Sequence, residues 1–192
     1  MIPMLSAEEA RKRLAESKML EGVSDPNVAT AMSKLNVFRA LLQNVPVTAA
    51  QSRLASTLMG SKILDPRIRE LVILRTGWRA KSEYEFCQHW AVSRQLKMTE
   101  EDILGVRDPA KCSAYNDRDR AVLAMTDELF DASVVSDATW SKLERFFAAQ
   151  ELVELIMVAG FWHMMAGFLK TSKIPFDPVD PTITGWPEGK AP

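Results

Sequence analysis

Residues 64–96 read LDPRIRELVILRTGWRAKSEYEFCQHWAVSRQL, and this stretch decides the fold. Its apolar residues recur at spacings of three and four, which predicts two α-helices, over 66–79 and 83–96. Asp65 before Pro66 is a typical helix start, because Asp caps free backbone N–H groups and Pro fits the first helical position. The same periodicity predicts further helices at 6–18, 28–43, 47–59, 99–105, 117–131, 137–147 and 151–170. Since alternating strand-like runs are nearly absent, we predict an all-α fold.

The composition excludes few functions, but it is typical of a single soluble globular domain. The chain has 192 residues, 47% of them hydrophobic, and a net charge of −1. Because a net charge this small produces only a weak electrostatic field, it gives no support to nucleic acid or an anionic membrane as a partner. The most apolar run, 155–169, is shorter than the ~18 residues that a spanning helix needs. Without a visible signal peptide, and with only Cys87 and Cys112, we expect a cytoplasmic protein.

Three segments follow from the breaks in the pattern. We predict an N-terminal helical arm over 1–27, a helical domain over 28–170 and a C-terminal tail over 171–192. The tail is rich in proline and cannot be helical. It carries Phe176 and Trp186, which suggests a tail that lies over its own domain or over a neighbour.

The segment EYEFCQHW (83–90) carries the candidate chemistry. Glu85 and His89 are four residues apart, so on a helix their Cβ atoms lie about 6 Å apart on one face, which Ser82 shares. A carboxylate beside an imidazole fixes the tautomer and raises the histidine pKa, which suits acid/base work. The alternative is a solvated ion pair. Cys87 points about 200° away from His89, so a Cys–His nucleophile pair is geometrically poor.

Two further residues have two readings each. Glu70 stands inside an apolar helix, where it either points outward or is buried with a raised pKa. His163 is either a core histidine bonded to a carbonyl or a second pocket histidine across from His89. A metal held by Glu85, His89 and His163 remains open, although Cys-x-His spacing does not place two ligands on one helical face. We predict no metal.

The two runs 64–78 and 82–103 resemble the carboxymuconolactone decarboxylase family, which includes the alkyl hydroperoxidase D-like proteins. The resemblance covers roughly residues 35–170 and rests on RELVILR and on the pattern Tyr-Glu-aromatic-x-x-His at 84–89. It implies an alkyl hydroperoxidase D-like helical bundle. It also implies homo-oligomers, trimers or hexamers, with the active site at or near the subunit contacts.

The same resemblance separates two kinds of chemistry. Peroxidase-type members carry Cys-x-x-Cys-x-x-x-His with an upstream glutamate. When this chain is aligned on His89, the cysteine positions fall on Ser82 and Glu85, and the glutamate on Glu70. Because serine and a carboxylate cannot form a disulfide, peroxidase activity is disfavoured. Decarboxylase-type members have the Glu-aromatic-x-x-His form found here, which implies cofactor-free proton transfer.

We therefore predict a lyase of the carboxymuconolactone decarboxylase type that needs no cofactor and acts on a small organic acid or lactone. Its reaction would be a decarboxylation, an isomerisation or a related lyase step. His89 is the predicted acid/base, Glu85 its orienting group and Glu70 a second member of the proton relay. The candidates for substrate contact are Ser82, Tyr84, Arg75 and His163. Two alternatives are an alkylhydroperoxidase-like antioxidant protein, with Cys87 acting alone, and a non-catalytic helical oligomer.

Overall fold

A computed structural model describes residues 2–17, 19–20 and 27–177. Within these ranges the chain forms ten α-helices and no strand, which confirms the all-α prediction. The helices are α1 (Ala7–Glu16), α2 (Val28–Lys34), α3 (Asn36–Leu41), α4 (Val45–Gly60), α5 (Pro66–Arg79), α6 (Glu83–Gln95), α7 (Glu100–Gly105), α8 (Asp117–Ala132), α9 (Asp137–Leu143) and α10 (Ala149–Thr171).

The chain packs as two compact units. Among the described residues, the first contains those up to Gly60 and those from Leu169 to Asp177, and the second is Ser61–Phe168. The core of the first unit is a cluster of buried apolar side chains from α1, the segment before it and the end of α3: Leu5, Ala10, Leu14 and Leu42. The predicted boundaries at 27/28 and 170/171 remain a prediction, and Trp186 of the predicted tail lies outside the described residues.

The single helix predicted over 28–43 is wrong, because the chain breaks at Leu35. Leu35 is extended, with φ −75° and ψ 126°, and separates α2 from α3. The backbone N–H of Asn36 donates to the Asp177 carboxylate at 2.6 Å, and the Asn36 amide donates to the carbonyl oxygens of Pro175 and Phe176. The partner of Asn36 therefore lies far along the chain, where no local pattern can show it.

Helix α5 is the centre of the second unit and packs against both α6 and α8. Every residue from Ile68 to Gly77 is buried. The predicted start is confirmed, since Asp65 accepts a hydrogen bond from the Arg67 backbone and Pro66 opens the helix. A helix with so long a buried stretch must place its charged side chains against partners, and Arg75 of α5 is held in this way.

Arg75 joins α5 to α8 through a bidentate ion pair. Its Nε and a terminal nitrogen bind the two oxygens of Asp127 at 2.7 and 2.8 Å, and its other terminal nitrogen donates to the Val106 carbonyl at 2.5 Å. Arg79 adds bonds of 2.6 Å to Asp127 and to Asp131. Two cations thus share the carboxylates of one face of α8.

Arg67 repeats this arrangement nearer the start of α5. It binds Asp102 of α7 at 2.6 Å and Asp119 of α8 at 2.7 Å. Burial acts to raise the pKa of Asp102, but the hydrogen bond and charge of Arg67 outweigh it and lower that pKa. Arg67, Arg75 and Arg79 together are the arginine side of α5.

Helix α10 has an apolar face that the described residues leave exposed. Val153, Met157 and Met164 are exposed along it, and a Cβ built on Gly160 would meet no atom within 4 Å. The length and apolar composition of α10 would suffice to cross a membrane, and the core helix of a soluble protein meets the same criteria.

Candidate active site between α5 and α6

Helices α5 and α6 run antiparallel, and one face of each forms the candidate site. Near the end of α5, a Cβ on Gly77 would lie 3.3 Å from the Glu85 Oε1 atom and 3.4 Å from the Phe86 nitrogen. At the other end, Glu70 contacts His89. A side chain at position 77 would therefore crowd the carboxyl group and the backbone of α6. The contact between these helices therefore brings the predicted residues Glu70, Glu85 and His89 to one interface.

Glu70 and His89 form the central hydrogen bond of this interface. The Glu70 Oε2 atom lies 2.8 Å from the His89 Nδ1 atom. The Glu70 side chain is completely buried, and the His89 side chain is 12% exposed. The other carboxyl oxygen of Glu70 lies 3.6 Å from the Arg69 Nε atom, which brings a positive charge to the buried carboxyl group. Glu70 is therefore buried and does not point outward.

The second nitrogen of His89 is also occupied. The indole Nε1 of Trp162, on α10, donates to the His89 Nε2 atom at 2.7 Å, and the two rings meet edge to face at 5.4 Å. An indole N–H can only donate, so Nε2 must accept, and the single N–H of a neutral imidazole is then on Nδ1. The geometry therefore assigns the tautomer: Nδ1–H donates to Glu70, and Nε2 carries the lone pair.

Glu85 is in a different state from Glu70. Its two carboxyl oxygens are buried and have no hydrogen-bond partner among the described residues. Burial raises the pKa of Glu85 well above its usual value, so the group keeps its proton under conditions that ionise an exposed glutamate. The expectation that Glu85 orients His89 is therefore corrected, because Glu70 makes that contact.

Ser82 is a second polar group at this interface whose hydroxyl lacks a partner. It is the N-cap residue of α6 and stands three positions before Glu85, the spacing of a capping box, yet its side chain makes no cap hydrogen bond. Its Oγ atom is buried without a hydrogen bond within the described ranges. Buried polar groups are nearly always satisfied, so such exceptions call for an explanation.

The remaining candidates for substrate contact lie elsewhere or are engaged. Arg75 is held by Asp127 and by backbone carbonyls, so it is not available for a substrate carboxylate. Tyr84 is buried on α6. His163 is exposed, which contradicts its reading as a core histidine.

His163 lines a separate cavity of about 180 Å³ between α5, α8 and α10. Its ring stacks on the Phe130 ring at 4.5 Å. Glu70, Glu85 and His89 are not among the residues that line this cavity. The structure therefore does not bring His163 to the Glu70–His89 pair, and a metal site that combines it with Glu85 and His89 is not formed. No group of three or more His, Cys, Asp or Glu side chains in the described part of the chain is arranged to hold a metal ion.

Trp162 is the residue of this interface that the sequence analysis does not single out. The available signal was chemical: a tryptophan within an apolar helix still needs an acceptor for its N–H. Cys87 and Cys112 are both buried, and they form no disulfide.

The comparisons with known proteins place this interface in a family context. The family model of the carboxymuconolactone decarboxylase family matches residues 46–128, so the resemblance is confirmed over that segment. The segment contains Glu70, Ser82, Glu85 and His89, whereas Trp162 lies outside it. No curated protein matches the chain at a significant level.

Solved structures of similar shape include an uncharacterized peroxidase-related protein from Ralstonia eutropha JMP134, described as an alkylhydroperoxidase AhpD core. Its TM-score is 0.72 at 19% identity, covering 96% of this chain and 93% of that one. A peroxidase-related protein from Silicibacter sp. TM1040 has a TM-score of 0.69 at 20% identity, with coverage of 96% and 92%. The debrominase Bmp8, solved in complex with 2,3,4-tribromopyrrole, has a TM-score of 0.74 at 10% identity, with coverage of 93% and 92%. These likenesses establish the AhpD-like helical fold.

Proposed function

We propose that this chain is a cofactor-independent acid/base enzyme that moves protons on a small organic acid or lactone, by decarboxylation, isomerisation or a related lyase step. The observation that carries this proposal is the pair of unlike carboxyl groups between α5 and α6. Glu70 accepts a hydrogen bond from His89, while Glu85 is buried and keeps its proton. Groups whose environments differ in this way suit the roles of base and acid in one reaction.

His89 would take a proton through Nε2. As it does so the imidazole becomes a cation, and the Nδ1–H···Glu70 hydrogen bond at 2.8 Å holds the ring and stabilises that charge. The burial of Glu70 strengthens this interaction, because little water screens it. Glu70 therefore acts as the orienting residue in the proposal, the role that the sequence reasoning gave to Glu85.

Glu85 would deliver a proton. In a decarboxylation, the bond between the carboxylate carbon and the substrate breaks, CO₂ leaves, and the electron pair remains on the substrate as an enolate. The enolate carbon then takes the proton of the Glu85 carboxyl group, which regains one from solvent. The Ser82 hydroxyl, three residues earlier on the same turn of α6, is suited to donate to the enolate oxygen. In an isomerisation, His89 removes the first proton and Glu85 supplies the second.

The thiol peroxidase alternative has less support. Its redox pair would require thiols at positions 82 and 85, where the chain has serine and glutamate. Cys87, the thiol that would act alone, is only 2% exposed. Two cysteines that form no disulfide accord with a reducing compartment, the cytoplasm. A fold relative crystallised with a small ring compound accords with a small-molecule substrate.

A homo-oligomer is part of this proposal, and the exposed apolar face of α10 supports it. Val153, Met157 and Met164 recur on one helical face with Gly160 between them, which would allow a second helix to approach closely. Static light scattering tests this. We expect a mass above 21.5 kDa that falls to the monomer value in the double variant Met157→Glu, Met164→Glu.

The proposed reaction is tested in ²H₂O with carboxymuconolactone and a set of small lactone and hydroxy acids, by measuring CO₂ release and deuterium incorporation. We expect turnover of at least one compound, and a loss of about 10²- to 10⁴-fold in His89→Ala, the usual contribution of a general acid or base. Cys87→Ser is the control and should retain activity. Turnover that survives His89→Ala would overturn the proposal, and loss in Cys87→Ser together with hydroperoxide reduction would favour the peroxidase.

A further inference from the structure

Trp162 occupies the one position through which His89 could accept a proton. The His89 Nδ1 atom carries its hydrogen toward Glu70, so the only lone pair of the ring is on Nε2, and the Trp162 indole N–H points at it from 2.7 Å. Trp162 is itself buried. In this state the imidazole has no nitrogen left for a ligand.

We propose that Trp162 is a specificity-determining residue, which admits to His89 only ligands that bring their own hydrogen-bond donor in place of the indole N–H. The substrate side of this inference rests on the proposed function. A ligand that presents only acceptors, such as a bare carboxylate or ester oxygen, would oppose its lone pair to that of Nε2. A ligand with an O–H or N–H group replaces the hydrogen bond from the indole to Nε2 with a hydrogen bond of its own.

The displaced indole N–H narrows the ligand class further. A buried donor left without a partner is costly, so the indole needs a new acceptor. A substrate satisfies both groups when it has a donor and an acceptor on neighbouring atoms. The fitting class is therefore small hydroxy acids and enolic lactones, in which a hydroxyl stands beside a carbonyl or carboxylate oxygen.

The proton step balances within this arrangement. The substrate O–H bond breaks and its electron pair stays on oxygen, while the proton forms a new bond to His89 Nε2. The resulting imidazolium keeps its Nδ1–H on the Glu70 carboxylate. The indole N–H, no longer on Nε2, donates to the oxygen that has become negative.

The location of Trp162 makes this a property of the chain rather than of the matched family segment. Residues 46–128 match the family model, and Trp162 lies on α10 beyond them. Members that share Glu70 and His89 without this indole would accept ligands that this chain rejects.

The first experiment needs no substrate. Imidazole ¹⁵N NMR should show His89 in wild type as the Nδ1–H tautomer with an acceptor Nε2. His163→Ala assigns the signals, since the chain has two histidines. Trp162→Phe keeps an aromatic ring but removes the N–H, and we expect faster modification of His89 by diethylpyrocarbonate. Trp140→Phe is the matched control, because the Trp140 indole also donates, to Glu144 at 2.8 Å. A wild-type Nε2–H tautomer, which can be read even if the variant fails to fold, overturns the inference.

The second experiment uses lactate and propionate, which differ by one hydroxyl. We expect lactate to shift the His89 ¹⁵N signals and to slow diethylpyrocarbonate modification at lower concentration than propionate does. The preference should fall by about 2- to 10-fold in Trp162→Phe, the contribution of one ordinary hydrogen bond. Equal responses to both acids in wild type, or no response, overturn the inference. If the protein prefers lactate but turns over no substrate, the proposed reaction is overturned, and the role of Trp162 in ligand selection is supported.

Discussion

Helix α5 has two polar sides that differ in how completely their groups are paired. On the arginine side, Arg75 and Asp127 bind through two hydrogen bonds, and neighbouring carbonyls take further guanidinium hydrogens. On the side that faces α6, one carboxyl oxygen of Glu70 makes a hydrogen bond. The side-chain oxygens of Ser82 and Glu85 make no hydrogen bond among the described residues. Both sides involve the same helix, and Arg75 on the one and Glu70, Ser82 and Glu85 on the other are all buried.

The difference indicates what each side does. When buried charges are paired, removing one member leaves the other buried without a partner, which destabilises the fold. The residues of the arginine side therefore hold α5 to α7 and α8. Buried polar atoms without partners destabilise the fold and are retained where a function uses them. Substitutions on the arginine side should therefore change stability, and those on the α6 side should change activity.

The largest effect is expected on the arginine side. Asp127→Ala should lower the free energy of unfolding by about 3 kcal/mol, because it leaves Arg75, whose side chain is 10% exposed, without its carboxylate. Urea denaturation measures this. Asp131→Ala is the matched control: its side chain is 63% exposed and, among the described residues, pairs with Arg79 alone, so we expect a loss of less than about 1 kcal/mol. Equal losses in the two variants would contradict the comparison.

Glu70→Gln should act on the reaction and not on the fold. A neutral amide cannot stabilise the imidazolium, so we expect kcat to fall about 10²-fold, equivalent to about 2.7 kcal/mol, with KM little changed. The kinetics are measured on whichever compound wild type turns over. Urea midpoints of variant and wild type serve as the control. A variant with a lower urea midpoint and an unchanged kcat would instead give Glu70 the structural role of the arginines.

Glu85→Gln should change how stability depends on pH. Because folding raises the pKa of Glu85, the unfolded chain releases this proton at a lower pH than the folded one. The contribution is fully present below the unfolded pKa, about 4.5, and is lost as pH rises through the folded pKa, at about 1.4 kcal/mol per pH unit.

The variant has no such group, so the melting temperature of wild type should fall relative to that of Glu85→Gln as pH rises from 4.5, and the two should run parallel below it. Thermal denaturation followed by circular dichroism measures both curves. Parallel curves over the whole range would show that Glu85 is not buried as the structure has it.

The smallest effect is expected at His163. Its ring is exposed and stacks on Phe130, away from the Glu70–His89 pair. His163→Ala should change the free energy of unfolding by less than about 0.5 kcal/mol and leave turnover unchanged. A large loss of turnover would assign the cavity between α5, α8 and α10 to the reaction.

The sequence was a good guide where local chemistry decides the structure. Helix starts at Ser6, Asp65 and Thr99 follow from side chains that cap the N–H groups two or three residues on, and the structure has these bonds. The same chemistry begins α9, where the Ser136 hydroxyl accepts a hydrogen bond from the Thr139 backbone N–H. The all-α fold follows from the periodicity, as does the shared face of Glu85 and His89.

It was a poor guide where distant residues compete for one group. Spacing on α6 favoured Glu85 as the partner of His89, but the imidazole turns to Glu70 on the neighbouring helix and to Trp162, 73 residues away. Arg75 stood as a candidate substrate ligand until its partner Asp127, 52 residues on, was known. Pairing within one helix can be counted along the chain, whereas pairing between helices depends on how they pack.

The bond between Asn36 and Asp177 has a consequence for the order in which the protein is made. The start of α3 depends on a carboxylate 141 residues later, so the first unit cannot be completed until synthesis has passed residue 177. The described residues of the second unit, Ser61–Phe168, all come before that point. The segment that leaves the ribosome first is therefore among the last to reach its final structure. The middle of the chain can fold before the N-terminal helices are complete.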